Sequence, residues 1–151
     1  IYIAVTKKLT GQDGRRVLLV ITDGDDTASR LSLNEALDAT QRNDVILYAI
    51  STNSPGLGGA KNRSGDEVLN KLSDATGGKV FFPARMEDLS SSFRDITEEL
   101  RFQYALAYSP IDLVRDGRFR RIRVEPSDKR YVVRARTGYF APLPAPSPAG
   151  R

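Results

Sequence analysis

Arg16-Val17-Leu18-Leu19-Val20-Ile21-Thr22-Asp23-Gly24-Asp25-Asp26 sets an unbroken apolar run directly against a cluster of carboxylates. No polar residue interrupts Val17 to Ile21, and such lack of alternation marks a strand covered on both faces, as in a parallel sheet. The turn formers that follow place three carboxylates at the carboxyl end of that strand. Two further runs read the same way: Val45-Ile46-Leu47-Tyr48-Ala49-Ile50, and the shorter Lys79-Val80-Phe81-Phe82 closed by Pro83. Helical patterns lie between them. Ser32-Leu33-Asn34-Glu35 is a capping box, with Leu33, Ala36, Leu37 and Thr40 along one helical face. Ser64-Gly65-Asp66-Glu67 predicts a second box, backed by Val68, Leu69, Leu72 and Ala75 and stopped by Gly77-Gly78. Leu89, Phe93, Ile96 and Leu100 recur at helical spacing, and Ile1, Tyr2, Val5, Lys8 and Leu9 read as the last turns of a helix ending at Gly11. The predicted order up to residue 100 is therefore αβαβαβα, with parallel strands, right-handed crossovers and functional groups at the carboxyl ends of the strands.

After residue 100 the period changes from helical to two. Phe102, Tyr104, Leu106 and Tyr108 alternate with smaller or polar residues, as do Ile122 and Val124, and then Tyr131, Val133 and Ala135. Asp116-Gly117 and Pro126-Ser127-Asp128 are turn signals between these runs. Three antiparallel strands are expected. The chain thus divides into an α/β portion (1–101), an antiparallel extension (102–140) and a tail (141–151) with four prolines.

At 151 residues and 40% hydrophobic composition the chain is expected to form one globular domain with a real core. It holds no Cys and no His, so disulfide scaffolds, zinc fingers, Cys nucleophiles and Ser-His-Asp triads are excluded from it. No apolar run approaches the length of a membrane span. The net charge of +4 is uneven: residues 1–100 carry −3 and residues 101–136 carry +6. The opening Ile1-Tyr2-Ile3-Ala4-Val5 is neither an initiator methionine nor a signal peptide, and reads as the interior of a longer chain.

Three stretches could carry chemistry. Asp23, Asp25 and Asp26 offer hard oxygen ligands suited to Mg²⁺, with Gly24 allowing a sharp turn; the plainer reading is a solvated acidic loop. Pro55-Gly56-Leu57-Gly58-Gly59-Ala60-Lys61 follows a strand and precedes a helix, the place for a phosphate cradle, but matches neither nucleotide-binding glycine spacing. Arg118, Arg120, Arg121 and Arg123, with Arg134 and Arg136, form either an anion-binding patch or a charge-protected sheet face; the second reading is preferred, so no nucleic acid is expected.

The residues from Val17 to Asp26 resemble the fourth strand and following loop of a von Willebrand factor type A domain. Val45 to Ser51 resembles its fifth strand, and Gly77-Gly78-Lys79-Val80-Phe81 its sixth. The stretches Tyr104 to Pro110, Gly117 to Val124 and Val133 to Ala141 are similar to the end of a related family of bacterial envelope proteins. The resemblance covers about residues 1–141. It implies a Rossmann-like doubly wound sheet and a metal-ion-dependent adhesion site that takes Mg²⁺, or Mn²⁺ or Ca²⁺, in the intact domain. Of the family's ligands only the Asp after the fourth strand maps here, onto Asp23, where it often acts through water. The family's first strand and the Asp-x-Ser-x-Ser loop that follows it would precede Ile1, so no bound cofactor is expected for this stretch alone.

The resulting expectation is a non-catalytic interaction domain of a secreted or envelope protein. It would bind a protein ligand through Thr22, Asp23, Gly24, Asp25, Asp26 and Thr27 and the loop from Thr52 to Arg63. Two rivals stand beside it: a Mg²⁺-dependent phosphoryl-transfer or hydrolase domain using Asp23, Asp25 and Asp26, and a basic nucleic-acid-binding module. In the family the first strand lies beside the fourth; without it, Val17 to Ile21 would be an apolar edge open to self-association.

Overall fold

The computed structural model describes residues 1–27, 29–111 and 114–144. Three parallel strands form the main sheet in the order β1 (Arg16–Thr22), β2 (Val45–Ser51), β3 (Val80–Phe81). β1 and β2 pair along their whole length, from Arg16 opposite Val45 to Thr22 opposite Ser51. β3 adds only the two pairs Ala49–Val80 and Ile50–Phe81. The chain is thus a mixed α/β protein with a three-stranded parallel sheet, as the apolar runs predict.

Three helices cover the two faces. α1 (Leu33–Arg42) and α2 (Arg63–Thr76) are the crossovers, and α3 (Leu89–Arg101) follows β3. On one face Leu47 and Ala49 pack with Leu69 and Leu72 of α2, while Leu33 and Leu37 of α1 close the rim. On the other, Tyr48, Ile50 and Phe81 meet Ile96, with Leu89 and Leu100 beside them. Leu47, Ile50, Leu69 and Leu72 are almost fully buried, each stabilising the fold by about 1.5–3 kcal/mol. A π-helical segment, Ala4–Leu9, buries Val5 against Ala39 and Val45, which agrees with the expected first helix.

Local signals explain most helix ends. Ser32 caps α1 through the predicted box: its Oγ accepts from the Glu35 backbone N–H, and Glu35 Oε2 accepts from the Ser32 N–H at 2.7 Å. These hydrogen bonds hold the Glu35 carboxyl below its usual range. α2 ends at Gly77 in the left-handed conformation (φ 81°), where a side chain would also run into the backbone of Ala135 and Arg136. The second capping box is corrected by the structure. α2 starts earlier, with Asn62 as the cap accepting from the Gly65 N–H, so Ser64 already lies inside the first turn.

The C-terminal expectation holds only in part. One antiparallel ribbon forms, β4 (Phe119–Arg121) with β5 (Gly138–Phe140). The run from Phe102 to Tyr108 is not a strand: Tyr104 and Leu106 are 91% and 79% exposed, and without a neighbouring strand alternation alone makes no ladder. This segment is tied down by Gln103, which donates to the Tyr48 hydroxyl and accepts from Arg15. Burial holds that hydroxyl's pKa above its ordinary value. Residues 131–136 are likewise irregular, and pairing begins only at Gly138. Ion pairs Arg134–Glu99 and Arg136–Asp44 anchor this stretch to the α/β body instead. The tail from residue 145 onward lies outside the described residues.

Candidate functional site at the carboxyl end of the sheet

β1 ends at Thr22, and the next residues turn back over the start of α2. Gly24 has φ 80°, a conformation that side chains other than glycine's rarely adopt. Gly24 and Gly65 lie backbone to backbone. A Cβ on Gly24 would stand 2.3 Å from the Gly65 carbonyl oxygen, and one on Gly65 would stand 2.0 Å from the Asp23 carbonyl oxygen. Two glycines forty-one positions apart therefore allow the loop after β1 to rest on the first turn of α2.

Two asparagines bind this contact together. The Asn53 side-chain amide donates to the Asp23 carbonyl at 2.8 Å and to Asp66 Oδ1 at 2.8 Å, and lies 3.0 Å from the Asn62 carbonyl. Ser51 Oγ donates to the same Asp66 oxygen at 2.6 Å. Asp66 sits in the first turn of α2, where a carboxylate is favoured by the helix dipole. Asn62 works at both ends: its oxygen caps α2, and its amide donates to Asp25 Oδ1 at 2.6 Å. Asp66 is thus an internal brace, and Asp25 is oriented by the helix cap.

The carboxylate of Asp23 accepts from the Asp25 backbone N–H at 3.2 Å. Asp23 and Asp25 are both exposed, and both line an open cleft of about 470 Å³ with Thr52, Asn53, Gly58 and Asn62. The other residues singled out from sequence are placed differently. Thr22 receives the Gly24 N–H on its Oγ1 and shapes the turn. Asp26 accepts from the Ser29 N–H at 2.8 Å. Neither Asp26 nor Thr27 lines the cleft. Among the described residues no three Asp, Glu, Cys or His side chains converge as a metal-ligand group. Asp23 and Asp25 alone make an incomplete ligand set for a hard cation.

The glycine-rich loop is folded upon itself. The N–H groups of Leu57 and Gly59 donate to the Ser54 carbonyl, and that of Gly58 donates to Pro55. Ser54 Oγ donates to the Ala84 carbonyl at 2.6 Å, and Gly56 bridges to Arg85. Backbone donors engaged in turns cannot also cradle a phosphate. Sequence reasoning missed Ser51, Asn53, Asn62 and Asp66 as parts of one network. The available signal was the pair of asparagines flanking that loop, since Asn favours caps and turns.

No family model matches the chain, and no curated protein matches it. A solved structure described as an uncharacterized membrane-spanning protein from Vibrio fischeri is similar at 21% identity with a TM-score of 0.49, over 58% of this chain and 48% of that one. The chain therefore spans about half the length of that protein. Among the described residues no helix is long and apolar enough to cross a membrane.

Proposed function

We propose that this chain is a non-catalytic interaction module of the von Willebrand factor type A kind, with a doubly wound Rossmann-like arrangement. In this reading it belongs to a secreted or envelope-associated bacterial protein. It binds a protein ligand at the carboxyl end of the sheet, around Asp23 to Thr27 and the loop from Thr52 to Arg63. One observation carries the reading: Asp23 and Asp25 face a single open cleft whose floor is braced by Asn53, Asn62 and Asp66. Ligands of open parallel sheets bind outside the carboxyl ends of their strands. In this reading Asp23 would supply one ligand to Mg²⁺, Mn²⁺ or Ca²⁺ in the intact domain, where the ion would attract an acidic group of the partner.

The test is a peptide-display selection on the immobilised chain, with and without millimolar Mg²⁺. Acidic peptides whose capture is lost in Asp23→Ala, with the melting curve preserved, are the expected outcome. Peptides insensitive to Asp23→Ala would overturn the reading, and metal-dependent turnover of phosphoesters would replace it with an enzyme.

The proposal extends to self-association. β1 pairs with β2 on one side only, and no strand lies on its other side among the described residues. Ile21 on it is 53% exposed. An unpaired apolar edge is a template for another chain, and an edge lysine blocks it. Ile21→Lys is expected to shift the chain toward monomer in size-exclusion chromatography with light scattering. A wild-type chain that stays monomeric over the whole dilution series would refute this part.

A further inference from the structure

A second cleft, of about 480 Å³, opens at the amino end of the sheet, opposite the acidic one. Arg16 from the start of β1, Arg42 from the end of α1, and Arg136 from the approach to β5 all line it. Asp44 is the one carboxylate among its lining residues, and it pairs with Arg136. The two remaining guanidinium groups have no carboxylate partner among the described residues. Arg42 is held in place by the Phe140 ring, with the guanidinium carbon 3.7 Å from the ring centroid, a cation–π contact that leaves its edge N–H donors unused. Arg16 carries the more telling feature. Its Nε is buried and has no hydrogen-bond partner, a condition that native proteins largely avoid because the desolvated donor is left uncompensated.

The opposite wall is apolar, formed by Phe140, Ala141, Pro142 and Leu143. The ribbon is fixed against the body by the Thr137 N–H donating to the Ala75 carbonyl and by the Arg136–Asp44 ion pair, while the Ala141 N–H closes the ribbon itself by donating to the Arg118 carbonyl. The wall is therefore part of the fold. Two guanidinium groups without a carboxylate partner beside an apolar wall match one chemistry. Arginine's planar fork recognises the oxygens of carboxylates and phosphates, and does so more strongly where water is partly excluded.

We propose that this cleft is an anion-binding site, in which Arg16 and Arg42 hold the oxyanion of a small molecule and Phe140 to Leu143 cover its apolar body. The shared ligand chemistry is an oxyanion, carboxylate or phosphate monoester, on an apolar or aromatic group. The site is independent of the reading given to the acidic end.

Isothermal titration with phenyl phosphate, benzoate and inorganic phosphate tests it. One-to-one binding of phenyl phosphate or benzoate is expected, and which of the two binds tighter identifies the oxyanion. Arg42→Gln and Arg16→Gln are each expected to weaken it roughly tenfold or more, the loss of a charge-assisted hydrogen bond, while Arg121→Gln, an exposed arginine outside the cleft, changes it less than about twofold. Arg42 is exposed, so its variant decides the matter should Arg16→Gln fail to fold. Absence of saturable binding, wild-type affinity in Arg42→Gln, or equal loss in Arg121→Gln would overturn the proposal. Inorganic phosphate binding as tightly as phenyl phosphate would overturn the assignment of an apolar body.

Discussion

The two ends of the sheet are built from opposite materials. At the carboxyl end, glycine, asparagine and aspartate let two backbone segments touch, and short side chains stitch them together. At the amino end, long arginine side chains bridge the body and the ribbon: Arg134 and Arg136 pair with Glu99 and Asp44, and Arg42 of α1 stacks on Phe140. The first end is held by close approach and fully directed hydrogen bonds. The second is held by ion pairs that are half exposed, and such pairs individually contribute little. The difference teaches where each end tolerates change: the acidic end in its exposed carboxylates but not in its glycines, the basic end in most single residues.

Gly24→Val is expected to break the acidic end outright. It combines a disfavoured positive φ with a Cβ placed on the Gly65 carbonyl, and should destabilise the chain by about 3 kcal/mol. A shift in the urea midpoint worth less than about 1 kcal/mol would show that the loop and α2 separate easily, and the contrast between the ends would lapse. Asn53→Ala comes next. It leaves the Asp23 carbonyl without its donor and Asp66 Oδ1 with Ser51 alone, at a cost of about 1–2 kcal/mol by denaturant unfolding.

Asp23→Ala sharpens the comparison from the other direction. Its carboxylate is exposed and accepts a 3.2 Å bond from the Asp25 N–H, so stability should change by no more than about 1 kcal/mol while ligand capture is lost. A large fall in melting temperature would make Asp23 a brace like Asp66.

The smallest effect concerns acid and the ribbon. The carboxyl of Asp116 is held below its ordinary value by the Arg118 N–H and then by Arg120, and that of Asp128 by Arg130. A carboxylate whose folded pKa is depressed stabilises the fold above its unfolded pKa, and this contribution is lost as pH falls through the lower folded value. Amide protection factors around β4 and β5 should therefore fall below about pH 4, ahead of those of the main sheet. Asp116→Asn should reduce that dependence; equal acid sensitivity in both regions would erase the distinction.

Much of the α/β body was legible from residue order. Short continuous apolar runs rich in β-branched residues fit the strands of a parallel sheet, and Ser32 with Glu35 forms a cap from neighbouring residues alone. The antiparallel extension was less legible. Tyr104, Leu106 and Tyr108 alternate as a strand would, but a strand needs a partner, and that partner is not encoded in the alternation. The start of α2 was misplaced for a related reason: Ser64 and Asn62 are both good caps, and the Asp25 carboxylate on Asn62 is a long-range contact that favours the earlier start.

By itself the sequence determined the alternation of helices and parallel strands, the position of the acidic turn at a strand end, and the concentration of arginine after residue 100. These follow from periodicity, capping and composition, which act over a few neighbouring residues. Only the tertiary structure decided that Gly24 meets Gly65, that Asn53 and Asn62 brace Asp66 and Asp25, and that Arg16 and Arg42 line a cleft with Phe140. Each joins residues dozens of positions apart, and such a pair meets only after burial of the sheet and helices has set their places.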